Sequence, residues 1–227
     1  EAVHNSSGLQ MVTGRGERVW RPLSNPGSLQ LSLFIDSAPR GFGLAQRERR
    51  FGRYQDLYAR YERRPTAWVA PNGDWGAGGV RLVEIPTNGE NNDNIVAYWR
   101  PDAPLEAGAE RRFGYRLTWG ESPPDETPLA RVVATREGRA PGAPEDRVIF
   151  VDFEHDESLS EGLVVKAETS RGEIVSARLE RLPGESMLRA TLDFRPPDEG
   201  DAEMRLLLVA PDGAAASETW LFRWTRR

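Results

Sequence analysis

Between the apolar runs RLVEIP and IVAYW lies TNGENNDN, Thr87–Asn94, a polar and turn-forming stretch that carries two carboxylates, Glu90 and Asp93. Two acids this close in sequence can perturb each other, because a like charge or partial burial raises a carboxyl pKa toward the value a general acid needs near neutral pH. Such an acid could protonate a glycosidic oxygen, and an inverting hydrolase would add a second carboxylate to activate water, with the separation setting the stereochemical outcome. The same residues also suit an ordinary turn, since Asn and Asp side chains hydrogen-bond readily to nearby backbone. Spacing and composition leave both readings open.

Two further segments mix aromatic rings, Arg and carboxylates: RVWRPLSNP (Arg18–Pro26) and RYERRPTAWVAPNGDWG (Arg60–Gly76). Sugars are bound by this mixture, with aromatic faces against the C–H face of the ring and polar side chains exchanging hydrogen bonds with hydroxyls. Tryptophans are also common core residues. Trp68 and Trp75 stand out because Pro65, Pro71, Asn72 and Gly73 set them near turns.

The elements that must position these groups are strands. Apolar alternation recurs in LQLSLFI, VRLVEI, RRFGYRLTW, VIFVDFE, LVVKAET, EIVSARLERL, MLRATLDF, EMRLLLVA and ETWLFRW, each bounded by Gly, Pro, Asn or Asp. With no helices between them, these predict an all-β chain built as sandwiches. The one helix-like window is Phe51–Glu62, and it also admits a β reading. Gly120–Pro144 is dense in Pro, Gly and charge and reads as a connection. The division is therefore residues 1–125, a linker over 126–144, and 145–227, where strand spacing fits an immunoglobulin-like sandwich. The strands expected in the first part are too few and too widely spaced to close a sandwich, so it is expected to complete a larger sheet structure with residues outside this chain.

Composition narrows the chemistry. The 227 residues are 38% hydrophobic and 29% charged, enough to bury a core. The net charge of −5 argues against a nucleic-acid surface, and the basic run RERRFGRY reads as a solvated, self-paired face. With no cysteine and two distant histidines, His4 and His155, neither a thiolate nucleophile nor a Cys- or His-based metal site is expected, and no cofactor is called for. No apolar stretch approaches the ~20 residues of a membrane-spanning helix. The chain opens at Glu1 with no signal-like segment, which reads as upstream sequence removed or as a start inside a longer chain.

WRPLSNP, GFGLAQRERRFGRYQDL and RYERRPTAWVAPNGDWGAGGVRLVEIPTNGENNDNIVAYWRP resemble the periplasmic glucan biosynthesis protein family (MdoG/OpgG and OpgD), with fainter similarity through SETWLFRW. The resemblance covers nearly the whole chain but only the C-terminal half of a typical member. It implies a galactose-mutarotase-like β-sandwich followed by an immunoglobulin-like domain, export to the periplasm, and work on β-1,2-linked glucan. The OpgD branch implies an inverting β-1,2-glucanase. Carried over by position, the family's general acid falls on Asp93, a supporting carboxylate on Glu90 and a cleft tyrosine on Tyr61. The family's general base falls on Asn5, in HNSSGL, and a neighbouring Asp on Ser7. An amide cannot take a proton from water near neutral pH.

Three readings follow. In the first, a chain of glycoside hydrolase or transglycosylase ancestry uses Asp93 as acid and Glu90 to tune it, with Tyr61, Arg64, Trp68, Trp75 and Asn5 lining the sugar subsites. In the second, motivated by Asn5, the protein binds or scaffolds glucan without turnover. In the third, the immunoglobulin-like part is a module for a membrane glucosyltransferase or a second copy of the chain. The N-terminal half of the same protein is an expected partner in each.

Overall fold

The computed structural model describes residues 6–89, 93–124, 127–154 and 162–226. The chain divides into two compact units, Glu1–Glu126 and Thr127–Arg227. The first holds β1 (Gly8–Val12), β2 (Arg18–Pro22), β3 (Gln30–Asp36), β4 (Gly41–Ala45), β5 (Thr66–Asn72), β6 (Gly78–Glu84), β7 (Ile95–Pro101) and β8 (Gly114–Gly120). The second holds β9 (Arg131–Ala140), β10 (Ala143–Glu154), β11 (Val164–Thr169), β12 (Glu173–Arg181), β13 (Met187–Arg195), β14 (Ala202–Val209) and β15 (Thr219–Trp224). No α-helix occurs among the described residues. The Phe51–Glu62 window forms only two short 3-10 turns, Phe51–Arg53 and Tyr61–Arg63.

In the first unit the strands run β2–β1–β4–β5–β8 in one sheet and β3–β6–β7 in another. Period-two alternation and the register put Leu9, Met11, Val19, Arg21 and Phe42 on one face, opposite Gln10, Trp20 and Trp68. On β6 the buried face is Val80, Leu82 and Glu84. The two sheets are joined by a buried ion pair, in which Arg21 Nη2 of β2 lies 3.0 Å from Glu84 Oε2 of β6. Ser24 donates to Glu84 Oε1 from both its amide (2.7 Å) and its hydroxyl (3.1 Å), so the carboxylate is fully engaged. Burying two charges is tolerable only with this degree of pairing.

The register also explains the glycines of GFGLA. A Cβ on Gly41 would meet the Trp68 indole, and one on Gly43 would meet the Ala67 carbonyl. Trp68 is thus a core residue of mid-β5, buried over a glycine-lined gap, although the sequence places it beside turn formers.

The second unit pairs β11–β14–β15 and β12–β13–β10–β9. Ile149, Val151, Phe153, Ala190, Leu192 and Phe194 face Met204, Leu206, Leu208, Trp220 and Trp224 across an apolar interior. Both indole N–H groups are satisfied from β9: Trp220 Nε1 donates to Thr135 Oγ1 at 2.9 Å, and Trp224 Nε1 to Glu137 Oε1 at 3.0 Å. β9 lies within the stretch that composition marks as a linker. Its edge position in this sheet accounts for the polar, glycine-containing sequence REGRA, since among the described residues this part of its outer flank faces no strand of the sheet and most of its residues are exposed.

Candidate functional site

One end of the first unit collects the start of β1, the ends of β2 and β4, the start of β5, the end of β8, and the β6–β7 connection. Register fixes this within each sheet, where Gly8 pairs with Pro22 and Ala45, Thr66 with Gly120, and Glu84 with Ile95, and the Arg21–Glu84 pair brings the two sheets together here. Segments that are distant in sequence meet here through hydrogen bonds. Ser7 N donates to Ala45 O (2.8 Å), Leu23 N to Ser7 O (3.1 Å), and Gln46 N to Thr66 Oγ1 (3.1 Å).

Asp93 lies at this end, exposed, just before β7. Its loop is tied back at both sides. Ile85 N donates to Asn94 O at 2.8 Å and Asn94 Nδ2 to Ile85 O at 3.1 Å. Asn25 of the SNP segment exchanges two hydrogen bonds with the Thr87 backbone, at 2.8 and 3.1 Å. Glu90 and Asn5 lie outside the described residues. Ser7, two positions on from Asn5, accepts from the amides of Arg47 (3.0 Å) and Glu48 (3.3 Å) through its hydroxyl.

Tyr61 and Arg64 belong to the same end. Tyr61 is buried in the second 3-10 turn, its ring 5.7 Å from that of Tyr54. The Arg64 guanidinium is exposed and sits 6.0 Å above the Tyr61 ring. Tyr54 donates to Glu48 O at 2.8 Å and is bonded by Gln46 Nε2. Arg47 stacks 3.5 Å over Trp20 and donates to Gln10 Oε1 at 2.9 Å. The run RERRFGRY is therefore only partly a self-paired face: Arg50 and Arg53 pair with Glu48, whereas Arg47 and Arg49 turn to the protein. Gln46, Arg47, Arg49 and Tyr54 went unnoticed in the sequence, where the only signal was the density of arginine.

Electrostatics separate the acids of this region by role. Burial by itself would push the Glu48 carboxyl up, but hydrogen bonds from Arg50 and the nearby Arg53 hold it below its ordinary value. Glu62 follows the same pattern, with burial outweighed by the Arg60 guanidinium. Both are fixed negative charges rather than proton donors. The Tyr54 phenol is raised, first by burial and then by Glu48. Gln46 Oε1 and Glu62 Oε2 are buried with no hydrogen-bond partner, acceptors of the kind that water or a hydroxyl satisfies.

Trp75 is elsewhere. It lies in the β5–β6 connection, at the opposite end of the strands, and its Nε1 donates to Gly114 O at 2.9 Å. Its ring packs 5.3–6.3 Å from Phe42, Trp99, Phe113 and Tyr115. Of the sequence-selected residues that are described, Asp93, Tyr61 and Arg64 share one end, while Trp68 and Trp75 build the interior and an aromatic cluster at the other. Among the described residues no group of His, Cys, Asp and Glu could hold a metal ion.

A family model for periplasmic glucan biosynthesis protein MdoG matches residues 1–224. The chain belongs to this family. Glucans biosynthesis protein G of Shewanella baltica (strain OS195) is 44% identical over 226 residues, covering 98% of this chain and 42% of that protein. The protein of the same name from Shewanella frigidimarina is 45% identical over 226 residues, 98% of this chain and 40% of its own length. That of Vibrio cholerae (strain ATCC 39315) is 45% identical over 227 residues, 99% and 42%. This MdoG-family chain thus spans about two fifths of the length of the relatives it matches. Membership carries a periplasmic location and a connection to glucan biosynthesis.

Proposed function

We propose that this chain forms the glucan-handling C-terminal part of a periplasmic glucan biosynthesis protein, binding β-1,2-linked glucan at the Tyr61–Arg64–Asp93 end of its first unit. Asp93 is the proton donor to the glycosidic oxygen in a protein of inverting-hydrolase ancestry that cleaves or transfers the chain. The observation that carries this reading is the convergence of two sequence-distant segments, one turn bearing a buried tyrosine with an exposed arginine above it and one loop bearing an exposed carboxylate, at one end of two sheets. Aromatic backing plus charged hydrogen-bonding groups is the chemistry that sugar hydroxyls require. With full-length protein and β-1,2-glucan, shorter oligosaccharides should accumulate, and Asp93→Asn should abolish them. Undiminished cleavage by that variant would remove the acid assignment.

A second reading is favoured by Asn5, which stands where the family resemblance expects the general base. Loss of such a base costs ~10²–10⁴ in rate. A non-catalytic binder or scaffold would hold glucan without turnover, and Asn5→Asp would then confer hydrolysis if the base alone were missing. In either case we assign a galactose-mutarotase-like sandwich to the first unit and an immunoglobulin-like one to the second, the latter serving as a docking module for a membrane glucosyltransferase or a second copy of the chain.

The outer strand β8 supports a role for the rest of the longer family protein. Tyr115, Leu117 and Trp119 continue the face of Leu9, Met11 and Phe42, yet are 58%, 45% and 62% exposed. On β3 and β7, Leu31, Ile35, Val96 and Tyr98 are likewise exposed. Core-type faces left open in this way are what the remaining part of the same polypeptide would cover.

A further inference from the structure

The turn that carries Tyr61 and Arg64 is held only in part by its own sequence. Arg60, just before it, has φ +51°, the only positive φ at a non-glycine residue among those described. Left-handed backbone at a residue with a Cβ persists only when surrounding contacts impose it. The 3-10 turn itself supplies two backbone hydrogen bonds, Arg63 N to Arg60 O and Arg64 N to Tyr61 O. Glu62 adds a local brace, accepting on Oε1 from Arg60 Nε at 2.6 Å.

A further restraint comes from a side chain outside the turn. Arg49 Nη1 donates to the Glu62 carbonyl at 2.9 Å and to the Arg64 carbonyl at 2.6 Å, while its Nη2 donates to the Glu121 carbonyl at 2.7 Å. A single planar guanidinium thereby fastens the Tyr61–Arg64 turn to the segment after β8 and to the segment after β4. Guanidinium suits this task because its donors form a rigid fork, whereas an ammonium is a compact group whose donors do not span separated acceptors.

We propose that Arg49 is a positioning residue for the glucan site: it touches no sugar, and it fixes the turn that sets Arg64 over the Tyr61 ring. The proposal rests on the glucan reading given above. Its test uses the full-length protein with β-1,2-glucan as probe, comparing wild type, Arg49→Gln, Arg49→Lys and a control, Arg50→Gln. Arg50 is exposed and pairs with Glu48. Glucan affinity is read by calorimetry, and amide hydrogen exchange is read over residues 60–64.

Arg49→Gln is expected to weaken glucan binding tenfold or more and to raise exchange in 60–64 while the second unit keeps its protection. Arg49→Lys should recover part of both losses, and Arg50→Gln should match wild type. A merely structural arginine would change thermal stability and leave glucan affinity intact. Wild-type affinity in Arg49→Gln, or unchanged exchange in 60–64, would overturn the proposal. Should wild type itself fail to bind β-1,2-glucan, the glucan reading is lost, and the exchange comparison still decides whether Arg49 holds the turn.

Discussion

Carboxylates in this chain divide by the company they keep. Glu48 and Glu62 are neutralised by neighbouring arginines and held ionised, whereas Asp93 stands at the surface beside β7. A similar arrangement, in the second unit, gives a testable pH dependence. Asp152 is buried on β10 between Arg189 (2.6 and 2.9 Å) and Arg136 (2.5 Å). Burial alone would push its carboxyl up, but the hydrogen bonds from Arg189 and Arg136 outweigh it and hold the group below its ordinary value. A depressed folded pKa means that the unfolded chain binds the proton more readily, so this contribution is present above the ordinary aspartate range and is lost as pH falls through the folded value. Urea midpoints of the second unit should therefore drop below about pH 4, and Asp152→Asn should both lower the midpoint at neutral pH and flatten that acid limb. An acid limb as steep in the variant as in wild type would assign the effect to other groups.

At the scale of elements, the Arg21–Glu84 pair couples the two sheets of the first unit. Both side chains are almost fully buried, and Glu84 also accepts two hydrogen bonds from Ser24. Removing one partner leaves the other charge uncompensated in the interior, a loss of about 3–5 kcal/mol for a buried pair. Glu84→Ala should shift the denaturant midpoint of the first unit accordingly. Because Glu84 ends β6 and the loop bearing Asp93 begins beyond it, the same change should lower glucan affinity as well. The doubly buried strands were the hardest to read from sequence. β1 (GLQMV) and β4 (GFGLA) are covered on both faces, so they lack the polar alternation by which β3 and β6 announce themselves. β7 shows the converse case: IVAYWRP alternates in burial, but its apolar exposed face masks the pattern. With β1, β2, β4, β5 and β7 added, the first part holds more strands than its alternation suggests.

For the whole molecule, the exposed face of β8 makes a prediction about context. In the 227-residue chain Trp119 is 62% exposed, so Trp119→Ser should alter stability by less than about 0.5 kcal/mol. If the rest of the longer family protein covers β8, the same substitution there empties a core position and should cost about 3 kcal/mol or more. Paired denaturation curves of the short and full-length proteins separate the cases, and equal small losses in both would leave β8 uncovered. A hydrophobic-dye signal from the short chain that disappears in the full-length protein would agree with the same cover.

Family membership was legible in contiguous motifs such as RYERRPTAWVAPNGDWG, because a long specific string survives without any knowledge of contacts. The all-β class was legible too, because alternation is a local signal that a half-buried strand cannot avoid. Tertiary structure alone decided which of the singled-out residues meet. Trp68 and Trp75 lie seven positions apart in one motif, yet the first fills the interior over Gly41 and the second joins Phe113 and Tyr115 at the other end. Tyr61 and Asp93, by contrast, share an end because antiparallel pairing within each sheet and the Arg21–Glu84 contact between the sheets return the chain there. Arg49 and its three carbonyls were invisible for the same reason: strand register sets which sequence-distant groups become neighbours, and register is a property of the folded sheets.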